Sequence, residues 1–290
     1  VDEKPRPALS RAHIARLFAG RSESGFMVRE VAARMAERLD LMRIEPTVVI
    51  DVGSGAGADL VRLSQRYPKA SVLGLDLATT ATRAPSSIGS RLKRLLLAPS
   101  GPLLVQSDAV QTPLKPAFAD LIWSNCALHW ISDPEAAIAE WSRLLKPEAA
   151  LLFSCFGPDS LEQVRSAFAE VDDLAHTVAF TDLHDYGDML ASHGFAQPVM
   201  DAERVTLTYD HATAFWSDVR ELGGNPLVER RRGLLGRAAA LRLEAALEAQ
   251  RNSHGKLELT FEIIYGHAWK GVPKVRSDGL SVVAMPKRAR

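Results

Sequence analysis

The sequence predicts an α/β fold: a doubly wound, mostly parallel sheet flanked by helices. Two observations carry that prediction. The β-branched run Thr47 to Ile50 leads through Asp51-Val52 into glycines at 53, 55 and 57, and Ala58-Asp59-Leu60-Val61-Arg62-Leu63 then carries apolar residues at helical spacing. Strand, tight turn and helix in that order open such a sheet. Further apolar runs of strand length end in polar residues at Asp76, Ser107-Asp108 and Asn125, with helical patterns between most of them.

Taken in order, Ser10 to Gly20 reads as a short amphipathic helix, and Phe26 to Met42 as a longer one with Val28, Val31, Met35, Leu39 and Met42 on one stripe. Phe18 or Phe26 is placed either in the core or over a bound ligand. Pro46 introduces the first strand, and Ser71 to Asp76 is the second. A looser region, Thr79 to Ser87, and a basic amphipathic helix around Arg91 to Leu97 precede the third strand, Leu103 to Gln106. Ala119 to Asn125 is the fourth. Asp133-Pro134-Glu135 starts a helix to Leu145, since an N-cap acid followed by proline satisfies and shapes the first turn. Ala150 to Cys155 is the fifth strand. Helices follow at Asp159 to Asp172 and Leu183 to Ser192, then a sixth strand near Val199 to Tyr209. Residues 211–250 read as helical apart from Gly223-Gly224-Asn225-Pro226. A last strand spans Leu257 to Trp269, with alternating apolar residues on one face.

The glycine loop is a ligand site. Gly53, Gly55 and Ala58 satisfy a relaxed dinucleotide fingerprint, so NAD and FAD are candidates. Asp51 points elsewhere: a carboxylate there repels a pyrophosphate but attracts an ammonium, through its loop or a water. Asp76, 25 residues on, has two oxygens at the spacing of a ribose diol. Asp108 is a third acid in register. Asn125 lies at the strand edge beside the first strand. His129, one helical turn on, either caps that turn or meets a substrate.

At 290 residues, with 47% hydrophobic and 24% charged residues, the chain has the composition of a soluble globular enzyme. Its net charge is zero but unevenly spread: residues 1–219 hold 21 Lys and Arg against 28 Asp and Glu, and residues 220–290 hold 14 against 7. The basic C-terminal quarter is either a solvated face or a surface for an acidic partner. Cys126 and Cys155 lack metal or redox spacing and read as reduced cytoplasmic thiols. No apolar run is long enough to cross a membrane, and no secretory signal is expected. A mitochondrial transit peptide at the Arg-rich N-terminus is a weak alternative.

The pattern Asp51-x-Gly53-x-Gly55-x-Gly57 resembles motif I of the class I S-adenosylmethionine (SAM)-dependent methyltransferases, whose cofactor carries an ammonium and a sulfonium. The blocks Asp120 to Asn125, Leu128-His129-Trp130, Phe156 to Leu161 and Leu222-Gly223-Gly224 resemble, more narrowly, the malonyl-acyl-carrier-protein O-methyltransferases of biotin synthesis. Departures are Ser54 for a frequent cysteine, Pro147-Glu148-Ala149 for Pro-Gly-Gly, and Phe26 or nothing for an N-terminal tyrosine. Complex I assembly factors that hydroxylate an arginine share the Leu-His-Trp block and an end like Tyr265 to Lys270. Trans-aconitate methyltransferases share the fourth-strand block.

The resemblance implies a Rossmann-like sheet of seven strands with the last antiparallel. It implies one domain: a helical cap (1–45), a SAM-binding core (46–156), helical insertions around the sixth strand (157–255), the last strand (256–270) and a tail (271–290). It implies cofactor contacts from Asp51, Gly53, Ser54, Gly55, Gly57, Asp76, Leu77, Asp108, Ala109 and Asn125, no metal, and S-adenosylhomocysteine as coproduct. The acceptor it implies is malonyl on an acyl carrier protein, or malonyl-CoA, oriented by Asn125 or His129. That carboxylate is already ionised, so proximity and desolvation suffice without a general base. The acidic carrier is expected on Arg230, Arg231, Arg232 and Arg237; no nucleic acid or membrane is expected.

Overall fold

The computed structural model describes residues 8–19, 21, 23–78 and 102–272. Seven segments form one sheet: Val48–Val52 (β1), Ser71–Asp76 (β2), Leu103–Gln106 (β3), Ala119–Ser124 (β4), Leu145–Phe156 (β5), Phe195–Tyr209 (β6) and Leu257–Lys270 (β7). Their order is β3-β2-β1-β4-β5-β7-β6, with β1 to β5 parallel and β7 antiparallel to both β5 and β6. This is the expected class. The loose region at Thr79 to Ser87, the basic helix at Arg91 to Leu97 and all but the first two residues of the 271–290 tail lie outside the described residues.

Parallel strands need crossovers, and helices covering both faces explain why the strands are apolar throughout. Val49, Leu121, Trp123 and Leu152 point to one face, under Phe26–Leu41 (α2) and Ala58–Arg66 (α3). Ile50, Val52, Ile122, Leu151 and Phe153 point to the other, under Pro134–Leu144 (α4) and Leu183–Ser192 (α6). The remaining described α-helices are Arg11–Phe18 (α1), Glu162–Ala169 (α5), Ala212–Glu221 (α7) and Arg237–Glu248 (α8). Asp133 caps α4 as expected, its side chain accepting from Ala136 N at 2.9 Å.

Two helical expectations change. The helix expected from Asp159 begins only at Glu162, because Leu161 takes a left-handed φ of 62° and donates its N–H to Thr260 O of β7. The arginine-rich stretch is not continuous helix. Residues 222–236 form a loop, so Arg230, Arg231 and Arg232 lie off any helix and Arg237 opens α8. Gly233, at φ 95°, takes a conformation that helices do not contain. That loop holds the N-terminus: Ser10 N donates to Pro226 O and Val228 N to Ala8 O, at 2.8 and 2.9 Å.

The strand order reverses between β1 and β4, which opens a crevice beyond their carboxyl ends. At the opposite end Asp120 ties three strands together. Its carboxylate accepts from Thr47 N, Thr47 Oγ1, Val48 N and Lys146 Nζ, at 2.9, 2.6, 2.9 and 2.7 Å. Partial burial works against ionisation, yet Lys146, Thr47 and the two backbone N–H groups bring Asp120 down to about 2. A carboxylate depressed on folding stabilises above its unfolded pKa and loses that contribution as pH falls through the folded one. Asp120→Ala should therefore cost about 1–2 kcal/mol at pH 7, after discounting for the carboxylate's partial exposure. In urea titrations the cost should shrink as pH drops from about 4 towards 2.

Candidate active site

The β1–α3 turn is shaped by what stands opposite it. Gly53 has φ 77°, and a Cβ there would lie 2.3 Å from the Ala127 Cβ, so only glycine lets the turn pass under the β4 loop. Beyond the turn lies a cavity of about 270 Å³ at the crevice. Of the expected residues, Gly53, Ser54, Gly55, Asp76, Leu77, Asp108, Ala109, Asn125 and His129 line it, whereas Asp51 and Gly57 do not. The sequence reading missed Asp59, Trp130 and the lining from α1 and the start of α2, including Arg11, Ile14 and Val28. Asp59 sits in the first turn of α3, inside the motif already singled out, and was passed over because the helical pattern explained it. Phe18 and Phe26 also face the cavity. Phe26 is an exposed residue, so it does not pack in the core.

Three acids converge behind the loop. Asp51 is buried and its Oδ2 has no hydrogen-bond partner. Burial pushes its pKa well up, and the charges of Asp59 and Asp76 push it further. Burial also raises Asp59, against hydrogen bonds from Asn125 Nδ2 at 3.0 Å and Trp123 Nε1 at 3.2 Å. Burial raises Asp76 as well, although Oδ1 accepts from Ala78 N at 2.7 Å and Oδ2 from Gly55 N at 2.8 Å. Three carboxyl groups grouped at one turn would attract a cation and repel a pyrophosphate by whatever negative charge they carry. Ser54 Oγ, also buried without a partner, adds an open polar valence in the same loop. These residues fit a ligand carrying an ammonium and a sulfonium. Asp108 sits at the far wall; its Oδ1 accepts from Val110 N at 3.1 Å and Arg11 pairs with its carboxylate.

Asn125 is largely committed to the scaffold. Its Nδ2 donates to Val28 O and Asp59 Oδ2, both at 3.0 Å, and its Oδ1 accepts from Ser154 Oγ at 2.9 Å. With both amide protons spent, it locks β4 to α2, α3 and β5. Cys126 follows at φ 50°, and burial pushes its thiol up to about 12, so it is neither nucleophile nor base. Cys155 is buried as well.

His129 lies in a 3-10 turn, Leu128–Trp130, stacked on Phe156 with ring centroids 4.4 Å apart. Its Nδ1 accepts from Phe156 N at 3.2 Å, which places the proton on Nε2, and that Nε2 is buried without a partner. Burial lowers its pKa to about 3. His129, Trp130, Phe156 and Leu222 also wall a second cavity of about 230 Å³, so the two chambers adjoin at these four residues. Of the expected partner arginines, Arg231 donates to Asp172 Oδ2 at 2.9 Å and Arg230 to Leu227 O at 2.9 Å; none of the four lines either cavity.

Residues 50–153 match a family model described as a methyltransferase domain. The malonyl-[acyl-carrier protein] O-methyltransferase of Laribacter hongkongensis is 42% identical over 280 residues, 94% of this chain and 93% of that protein. Its namesake from Gallionella capsiferriformans is 40% identical over 98% of this chain and 96% of that protein. The chain belongs to the malonyl-[acyl-carrier protein] O-methyltransferase family. It is a SAM-dependent methyltransferase. The YcgJ protein of Bacillus subtilis shares the fold, with a TM-score of 0.57 at 17% identity over 83% of this chain and 99% of that one. No group of three or more His, Cys, Asp or Glu positioned for a metal, and no helix able to cross a membrane, occurs among the described residues.

A histidine depressed on folding costs stability below its unfolded pKa, because the unfolded chain takes up a proton that the folded one refuses. Wild-type stability should therefore fall relative to His129→Phe by about 2–3 kcal/mol between pH 7 and pH 4.5. Urea unfolding of both proteins at the two pH values measures the change in the gap.

Proposed function

We propose that this chain methylates the free carboxylate of malonyl carried as a thioester on an acyl carrier protein, opening pimeloyl synthesis for biotin. Relatives 38–42% identical over most of their length carry that activity in their names. The observation that carries the reading is the junction of the two chambers. His129, Trp130, Phe156 and Leu222 include no group that takes a proton near neutral pH. An acceptor that arrives already ionised needs none.

In this reading one domain spans the chain, and it works in the cytoplasm as a protein whose two buried cysteines form no disulfide. SAM supplies an electrophilic methyl group on a sulfonium. Asp76, Leu77, Asp108 and Ala109 hold its nucleoside end. The Gly53–Gly57 turn, with Asp51 behind it, holds the amino-acid end. The aromatic and aliphatic junction strips water from the acceptor carboxylate and fixes its approach, which supplies most of the rate. Arg232 and Arg237, with Arg230 and Arg231 beside them, meet the acidic carrier from the loop and α8.

Labelled methyl from SAM should appear on malonyl-acyl carrier protein as a base-labile ester, with malonate, trans-aconitate and a protein arginine as controls. Labelling of a control in preference to the malonyl thioester contradicts the proposal. Asp76→Ala should weaken SAM binding about 10- to 100-fold, the loss of one charge-assisted contact; unchanged calorimetric affinity removes Asp76 from the site. Replacing Arg231 and Arg232 by Ala should raise KM for malonyl-acyl carrier protein more than for malonyl-CoA, with a salt dependence, since screening acts over about 8 Å at physiological ionic strength. Equal effects on both substrates make these arginines a solvated face.

A further inference from the structure

The second chamber has no part in holding the nucleoside end of a cofactor, and its wall is unlike that of the first. Phe156, Leu161, Val164, Phe168, Phe180 and Trp216 make it aromatic and aliphatic. Its polar side chains are mostly committed. His176 is stacked on Phe168, with centroids 3.8 Å apart, and its Nε2 is bonded to Asp172 at 2.7 Å. Asn225 donates to Ala175 O at 2.8 Å and accepts from Leu227 N at 3.0 Å. Arg220 is exposed. His129 differs from all of them. It stands where the two chambers meet, its ring is clamped by Phe156, Trp130 and Phe180, and its buried Nε2–H has no acceptor among the described residues. An oriented, buried donor without a partner costs stability, and its retention at a junction of cavities marks a ligand contact.

We propose that this chamber receives the malonyl thioester and that His129 Nε2–H hydrogen-bonds one oxygen of its carboxylate, aiming the other oxygen at the first cavity. The assignment rests on the function proposed above and names the residue and chamber that serve it. The carboxylate belongs at the inner end because the cavity fitted to the methyl donor adjoins there, while the thioester arm leaves through the apolar chamber. A single neutral donor suits this task. A cation would hold the carboxylate more tightly but draw charge from the attacking oxygen. An N–H on a ring that stays uncharged across the neutral range fixes direction and leaves the nucleophile its charge.

The experiment uses the full chain, labelled with ¹⁵N-histidine and saturated with S-adenosylhomocysteine. The Nε2–H resonance of His129 is identified by its loss in His129→Phe. Malonyl-CoA should move that resonance downfield, and acetyl-CoA, which has the thioester without the carboxylate, should leave it in place. In turnover, His129→Phe should lower kcat/KM for malonyl-CoA about 10- to 100-fold, and His129→Gln, whose amide reaches towards the Nε2 position, should recover part of the loss. Val219→Trp, which fills the chamber from α7, should abolish the malonyl-CoA shift in a folded protein. The assignment is overturned if wild-type protein methylates malonyl-CoA while the resonance stays still, if acetyl-CoA moves it equally, or if His129→Phe keeps kcat/KM within about twofold of wild type. Wild-type protein that methylates no malonyl thioester overturns the proposed function itself, a separate result.

Discussion

The site turns on a buried carboxyl group that meets no cationic side chain among the described residues. Asp51 sits within β1, opposite Gly74 of β2 and Trp123 of β4, buried and with one oxygen unpartnered. Burying such a group disfavours folding unless it stays protonated or a cation comes near. The surroundings sharpen the conflict, because Asp59 and Asp76 add like charge from both sides. Both of those acids are anchored: Asp59 by Trp123 and Asn125, Asp76 by the backbone of Gly55 and Ala78. Asp51 therefore carries the unresolved part, which is why we propose that a cationic ligand binds at the turn in front of it.

The rest of the site is held to that turn by polar side chains used as struts. Asn125 ties β4 to α2 through Val28 and to α3 through Asp59, and Ser154 ties it to β5. The same contacts fix the left-handed bend at Cys126, from which the chain turns into Leu128–Trp130 and presents His129. Above them Phe18 of α1 meets Trp130 edge-on at 5.1 Å, and Arg21, just past α1, donates to Glu221 O of α7 at 2.7 Å. α1, the start of α2 and the loop after α7 thus form one roof over the crevice. α1 is short, with Ile14 its one buried residue, and is lightly packed compared with the sheet, as segments that must admit substrate generally are.

Legibility followed locality. The strands β2 and β3 and the helix α6 begin and end where the sequence places them, because their patterns are set within a few residues by apolar runs and caps. The glycine turn and the acids at the ends of β2 and β3 were legible for the same reason. Asn125 was legible at the edge of the site but its commitments were not, since its three partners lie far away in sequence. The loop carrying Arg230 to Arg232 was misread as helix because a run of helix-forming arginines and leucines outweighed Gly233 and Gly236 in the pattern. The pairing of Arg231 with Asp172 was invisible for the reason that governs most long-range contacts: no local signal announces them. His129 was visible as a residue and ambiguous as a function until its neighbours left Nε2 without an acceptor.

We propose that the site is built around a buried acid that takes a positive ligand. Calorimetry of SAM binding in buffers of different ionisation enthalpy measures this. Burial, and then the charges of Asp59 and Asp76, disfavour the anion at Asp51, and a cation arriving at the turn should favour it. Binding should then release a proton, tighten as pH rises from the acidic side, and lose both traits together with affinity in Asp51→Asn. Binding that releases no proton, is indifferent to pH and is unchanged in Asp51→Asn would mean that Asp51 does not face the ligand's charge.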